Sequence, residues 1–175
     1  MRTQPVAPPL QIRSKARVKA LAEVFTGERE VNAMLDLIPH RQFEDPLASF
    51  LEPACGNGNF LVAILERKMS YRPSTAKADI YALKVLSSLY GIDIDQQNIA
   101  EAICRLHSWL DEHIVCDDKQ TFLKRARAIL IGNIQVGDFL AFSTLQFIQY
   151  QWLPDDTYTT ALSAERGYVK NCRLS

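Results

Sequence analysis

An apolar segment, a glycine-bearing turn and a second apolar segment follow one another over residues 48–65, and this junction limits the folds open to the chain. Ala48-Ser49-Phe50-Leu51-Glu52 reads as a short buried strand, and Pro53–Asn59 as a turn containing Gly56 and Gly58. Phe60, Leu61, Ile64 and Leu65 then share one face of a helix. The pattern recurs. A helix over about 77–87 precedes a strand at Leu89–Ile94, and Asp95 is placed to N-cap a helix carrying Ile99, Ile103, Leu106 and Leu110. Asp117–Leu130 is a further helix candidate, and Ile134–Val136 a third strand. Strand–helix–strand–helix–strand predicts an α/β fold with a parallel sheet.

The flanks are less regular. Residues 1–17 mix Pro, Gln, Ser and basic side chains and read as a poorly ordered arm, with helical signals from Lys15. Val31, Met34, Leu35 and Ile38 predict an amphipathic helix stopped by Pro39, and His40–Pro46 reads as polar linker. Leu145–Leu153 reads as an extended segment before a turn at Pro154-Asp155-Asp156. At 175 residues the chain is long enough for a core without staples. Lys plus Arg and Asp plus Glu are 20 each, so a strongly basic nucleic-acid coat is excluded. No apolar run suggests a membrane span or a signal peptide. Cys55, Cys104, Cys116 and Cys172 form no C-x-x-C pair, and His40, His107 and His113 have no ligand-spaced companions, so no metal is expected. A reducing cytoplasm fits this cysteine usage.

The chemistry lies at the strand ends, where open parallel sheets bind ligands. Gly56 and Gly58 let the backbone approach a ligand at a helix N-terminus. Asp93 ends the second strand, where an acid can accept the two hydroxyls of a ribose. Asp138 ends the third beside Phe139, a pairing suited to the amino group and ring of adenine. Separately, Asp93 and Asp95 also read as a solvated loop with a helix cap, and Asp138 as a turn residue. Together the three ends describe a nucleoside site. Lys124, Arg125 and Arg127, and the cluster Arg13, Lys15, Arg17 and Lys19, read as solvated faces that could touch phosphate.

These residues carry a resemblance. Phe50-Leu51-Glu52-Pro53-Ala54-Cys55-Gly56-Asn57-Gly58-Asn59-Phe60-Leu61 closely resembles motif I of the N6-adenine DNA methyltransferases, a group that includes type I and type IIG restriction–modification methylases. Glu23-Val24-Phe25-Thr26-Gly27 resembles their motif X, with Gly27 in place of the usual proline. Asp93 matches the motif II acid, and Asp138-Phe139 matches motif III. The resemblance runs from about Arg17 to Phe142. It implies a Rossmann-like, S-adenosylmethionine-dependent methyltransferase fold with flanking helices, here as a partial parallel sheet. It implies cofactor contacts from Phe25, Thr26, Glu52, Pro53, Ala54, Gly56, Gly58, Asp93, Ile94, Asp138 and Phe139. In the family the Cys55 position packs rather than reacts.

The departure is as informative. The family's motif IV, Asn/Asp/Ser-Pro-Pro-aromatic, is absent; Ala7-Pro8-Pro9-Leu10 has neither the polar residue nor the aromatic. Only 33 residues follow Phe142, too few for the remaining strands of a complete methyltransferase sheet. The expected organisation is an arm over 1–17, a cofactor-binding domain over 18–142 and an extension over 143–175. No catalytic residue is assigned. The expected function is that of the cofactor half of a split adenine-N6 DNA methylase, reaching DNA only with a partner chain. The alternative is a catalytically inactive, truncated homologue serving as an interaction or regulatory module. Because a half-sheet leaves an edge and apolar surface open, self-association or a partner subunit is expected, with the C-terminal tail folding back as the other solution.

Overall fold

The computed structural model describes residues 26–141 and 145–162. The expected arm, Phe25 and the basic cluster Arg13–Lys19 lie outside them. The main body is a mixed α/β unit. Its elements are α1 (Glu28–Leu35), α2 (Arg41–Glu44), β1 (Phe50–Glu52), α3 (Asn59–Ser70), α4 (Ala78–Leu86), β2 (Leu89–Asp93), α5 (Gln96–His113), α6 (Lys119–Asn133) and β3 (Ile134–Val136). A hairpin of β4 (Ile148–Trp152) and β5 (Tyr158–Leu162) follows. β1, β2 and β3 form a parallel sheet in that order, with Leu51 opposite Tyr90 and Asp93 opposite Val136. A three-stranded parallel sheet with flanking helices is compatible with a Rossmann-like fold.

β2 is buried on both faces, as a central parallel strand requires. Side chains alternate across it. On one face Leu89 joins the main core with Leu61, Leu65, Leu83, Leu106 and Ile129 of the surrounding helices. Tyr90 and Ile92 face the other way, into a small cluster with Leu145 and Phe147, against which Leu51 and Phe139 pack. The segment after β3 therefore folds back over the second face of the sheet. Further anchors hold the hairpin. The Tyr90 hydroxyl donates to the Ile148 carbonyl at 2.8 Å, the Trp152 indole donates to Ser87 Oγ at 2.9 Å, and Lys84 pairs with Asp156 at 2.7 Å.

Helix starts follow the sequence closely. Asp95 accepts the Gln97 amide at 2.8 Å and Asp118 accepts that of Thr121 at 2.9 Å, so both act as N-caps. Three expectations need correction. The linker over 40–46 contains α2, because Phe43 is fully buried and its ring lies 5.2 Å from that of Phe50. β1 is shorter than the expected Ala48–Glu52, beginning at Phe50, whose amide donates to the Ser88 carbonyl. The turn at residues 154–156 leads into a strand, β5, that the weakly patterned sequence did not announce.

Lys68, on α3, is completely buried yet fully engaged. Its ammonium donates to the carbonyls of Asp45 (3.0 Å), Pro46 (3.2 Å) and Ala48, and to Ser88 Oγ (3.0 Å). It ties the approach to β1 to the start of β2. Burial lowers its pKa to about 8.

Candidate functional site

The ends of β1, β2 and β3 open on one cleft of about 550 Å³. Thr26, Glu52, Pro53, Ala54, Gly56, Asp93, Ile94, Asp138 and Phe139 all line it. These are nine of the sequence-named positions, drawn from four separate segments. Phe25 lies outside the described residues. Gly58 does not line the cleft. It is buried, with φ +86°, and a Cβ there would sit 2.9 Å from that of Ala102 on α5. Its small size serves the close approach of α3 and α5.

The turn is built by backbone and carboxylate together. The Cys55 amide donates to the Ile92 carbonyl, and the Gly58 amide to that of Cys55, both at 2.9 Å. Gly56, at φ +52°, turns its amide toward Asp93 Oδ2, also at 2.9 Å. Asp93 Oδ1 accepts from the Asp95 amide at 2.8 Å and from Asn98 Nδ2 at 3.3 Å. Three of the roughly four acceptor positions of this carboxylate are thus used by the protein. What remains is an acceptor on Oδ2, which narrows the expectation of a grip on two hydroxyls to a grip on one. Asp138 is exposed, and its Oδ1 accepts the Leu140 amide at 2.8 Å, leaving Oδ2 for a further donor.

The electrostatics are one-sided. Glu52, Asp93, Asp95 and Asp138 line the cleft, and no Lys, Arg or His does among the described residues. Burial raises the pKa of Glu52 above the ordinary carboxylate value, opposed by a hydrogen bond from the Ala54 backbone. Cys55 is buried where Gly91 leaves space for it, and burial, with Asp93 and Glu52 nearby, pushes its thiol up to about 12. It is a packing residue and not a nucleophile. Among the described residues no group of three or more His, Cys, Asp or Glu is arranged to hold a metal ion, and no helix is long and apolar enough to cross a membrane.

Cys55, Asn57, Asn59, Phe60, Asp95, Asn98, Gly137 and Leu140 also line the cleft, beyond the positions the sequence named. Most adjoin the named ones in the chain. Asn98 does not belong to a strand end. It belongs to a polar face of α5, Asn98, Glu101 and Arg105, at i, i+3 and i+7 beside the apolar stripe. That spacing is the available signal, a weak one because polar helix faces usually meet solvent.

No family model matches the chain, and no solved structure matches it. The chain is similar to a "Putative type II restriction enzyme and methyltransferase" of Methanocaldococcus jannaschii. The two are 39% identical over 80 residues, a stretch covering 40% of this chain and 7% of the relative. This likeness supports a restriction–modification methyltransferase-like relationship. The chain matches only a small part of that relative's length.

Proposed function

We propose that the cleft binds S-adenosylmethionine and that this chain is the cofactor-binding part of a DNA methyltransferase of restriction–modification type, acting on adenine N6. The observation that carries the reading is the charge of the cleft. A glycine turn between strand and helix suits two ligand classes, dinucleotides and S-adenosylmethionine. Four lining carboxylates, with no lining base among the described residues, repel a pyrophosphate and attract a sulfonium and an ammonium. The motif resemblance and the methyltransferase named among similar proteins point the same way.

The residues present fit such a cofactor, which when bound supplies an activated methyl group on its sulfonium sulfur. Asp93 Oδ2 would hold a ribose hydroxyl, Asp138 would accept from the adenine amino group, and Ile94 and Phe139 would give the ring apolar cover. Ile94 is exposed in the cleft, with 61% of its surface open. Glu52 would face the positively charged end of the ligand. Holding and orienting an adenine base falls to a segment carrying Asn/Asp/Ser-Pro-Pro-aromatic, a run that does not occur in these 175 residues. β1 is an edge of the described sheet, where a strand from such a partner would pair. The missing motif equally favours a second reading, an interaction module that no longer transfers methyl groups.

Calorimetry with S-adenosylmethionine and S-adenosylhomocysteine tests the cofactor reading. Binding of both is expected, and no binding at millimolar concentration would overturn it. Tritium transfer from labelled cofactor to mixed-sequence duplex DNA, with and without a chain carrying the missing motif, separates the split enzyme from the module.

A further inference from the structure

The polar face of α5 makes a second set of contacts with the glycine turn. Glu101 Oε1 accepts from Asn57 Nδ2 at 3.1 Å. One turn later, Arg105 Nη1 donates to the Asn57 carbonyl at 2.8 Å and to Asn59 Oδ1 at 2.6 Å. The other end of the Asn59 amide reaches across to the opposite wall, where Nδ2 donates to the Thr26 carbonyl at 2.8 Å. Asn59 and Thr26 both line the cleft.

The chemistry leaves Asn59 a single orientation. A guanidinium only donates, so it must meet the amide oxygen, and a backbone carbonyl only accepts, so it must meet the amide nitrogen. Arg105 therefore dictates which way Asn59 points, and Asn59 dictates where the Thr26 segment stands. Among the described residues, residues 26–27 are held by this bond and by the Val31 amide, which donates to the Gly27 carbonyl at the start of α1. The chain of contacts also joins the segment resembling motif X to the one resembling motif I.

We propose that Arg105 is a positioning residue for the cleft: acting through Asn59, it holds the Thr26 wall at a fixed distance from the glycine turn and so sets the width of the ligand site. It touches no ligand itself. This deepens the cofactor reading and rests on it for the affinity arm of the test, whereas the positioning arm needs no ligand.

The positioning arm is amide hydrogen exchange on the full-length, ligand-free protein, comparing wild type with Arg105→Met, Arg105→Lys and Asn59→Ala. Losing charge-assisted hydrogen bonds of this kind is expected to speed exchange about tenfold or more at the 55–60 turn and at the start of α1. Exchange in α6 should not change. Arg105→Lys, which keeps two donors within reach, should restore most of the protection. Unchanged exchange at the turn and at α1 in Arg105→Met would overturn the proposal, as would acceleration spread evenly over α6. In the affinity arm, Arg105→Met and Asn59→Ala should each weaken S-adenosylmethionine binding roughly tenfold, and the double variant no more than the worse single one. Additive losses would overturn action through Asn59. Absence of wild-type binding would overturn the cofactor reading and leave the exchange result to decide the role of Arg105.

Discussion

The carboxylate of Asp93, at the end of β2, accepts the backbone N–H of Gly56, in the turn after β1, at 2.9 Å. One side chain thus closes the turn of the neighbouring strand and organises its own, through Asp95 and Asn98. Asp93→Ala should therefore do two things. It should lower stability, and it should weaken cofactor binding roughly ten- to a hundred-fold, the worth of about 1.5–3 kcal/mol of hydrogen bonding to a charged group. Asp93→Asn keeps one acceptor and should fall between. Calorimetry paired with thermal melts checks both effects. Binding unaffected in Asp93→Ala would place the ligand elsewhere.

Glu52 sets stability against binding. Burial raises its folded pKa above 4.5, so its contribution to stability is complete below that value and is lost as pH rises through the folded pKa. At neutral pH the ionised, half-buried carboxylate is a burden on the fold. Glu52→Gln should raise the melting temperature at pH 7 and yet weaken binding of a cationic cofactor. In wild type, affinity should begin to drop on acidification at a higher pH than an ordinary carboxylate would give, and Glu52→Gln should remove that component.

Gly58→Ala tests the packing role of that glycine. The new Cβ meets Ala102 in a left-handed backbone, and overpacking with the backbone penalty should cost about 2–4 kcal/mol. Adding Ala102→Gly should recover the steric part and leave the backbone part. Denaturant titration of the two variants measures the difference. A Gly58→Ala protein as stable as wild type would show that α3 and α5 can separate freely.

Lys68→Met removes the donor that satisfies three carbonyls and Ser88, at an expected cost of about 2–4 kcal/mol near pH 7. The pH dependence gives a second signature. Lys68 has a folded pKa of about 8 against 10.5 when free. Between those values the unfolded chain binds more protons, so wild type should gain stability over Lys68→Met as pH rises from 8 toward 10.5. A difference that is flat with pH would mean that the lysine is not held dry.

Thiol accessibility separates the cysteines. Cys104 is exposed and Cys55 is buried with its pKa pushed up to about 12. Alkylation at pH 8 followed by peptide mapping should label Cys104 in seconds to minutes and Cys55 only on unfolding. Early labelling at Cys55 would mean that the glycine turn opens readily.

The strand–helix order, the parallel sheet and most of the cleft were legible in the sequence for one reason: they rest on local patterns. Periodicity places Leu61 and Leu65 on the buried side of α3, aspartates before helices become caps, and polar residues at the ends of parallel strands converge because parallel strands end on the same side. Side chains that act across long sequence separations left no such mark. Lys68 is buried only because Asp45, Pro46, Ala48 and Ser88, all about 20 positions away, surround it. The packing constraint on Gly58 comes from Ala102, 44 positions later, which no local pattern shows. Arg105 and Glu101 gain their partners only where the turn at Asn57–Asn59 lies against α5. The covering of Tyr90 and Ile92 by Leu145 and Phe147 was likewise decided by tertiary packing, because an apolar sheet face requires a cover but does not encode which segment supplies it.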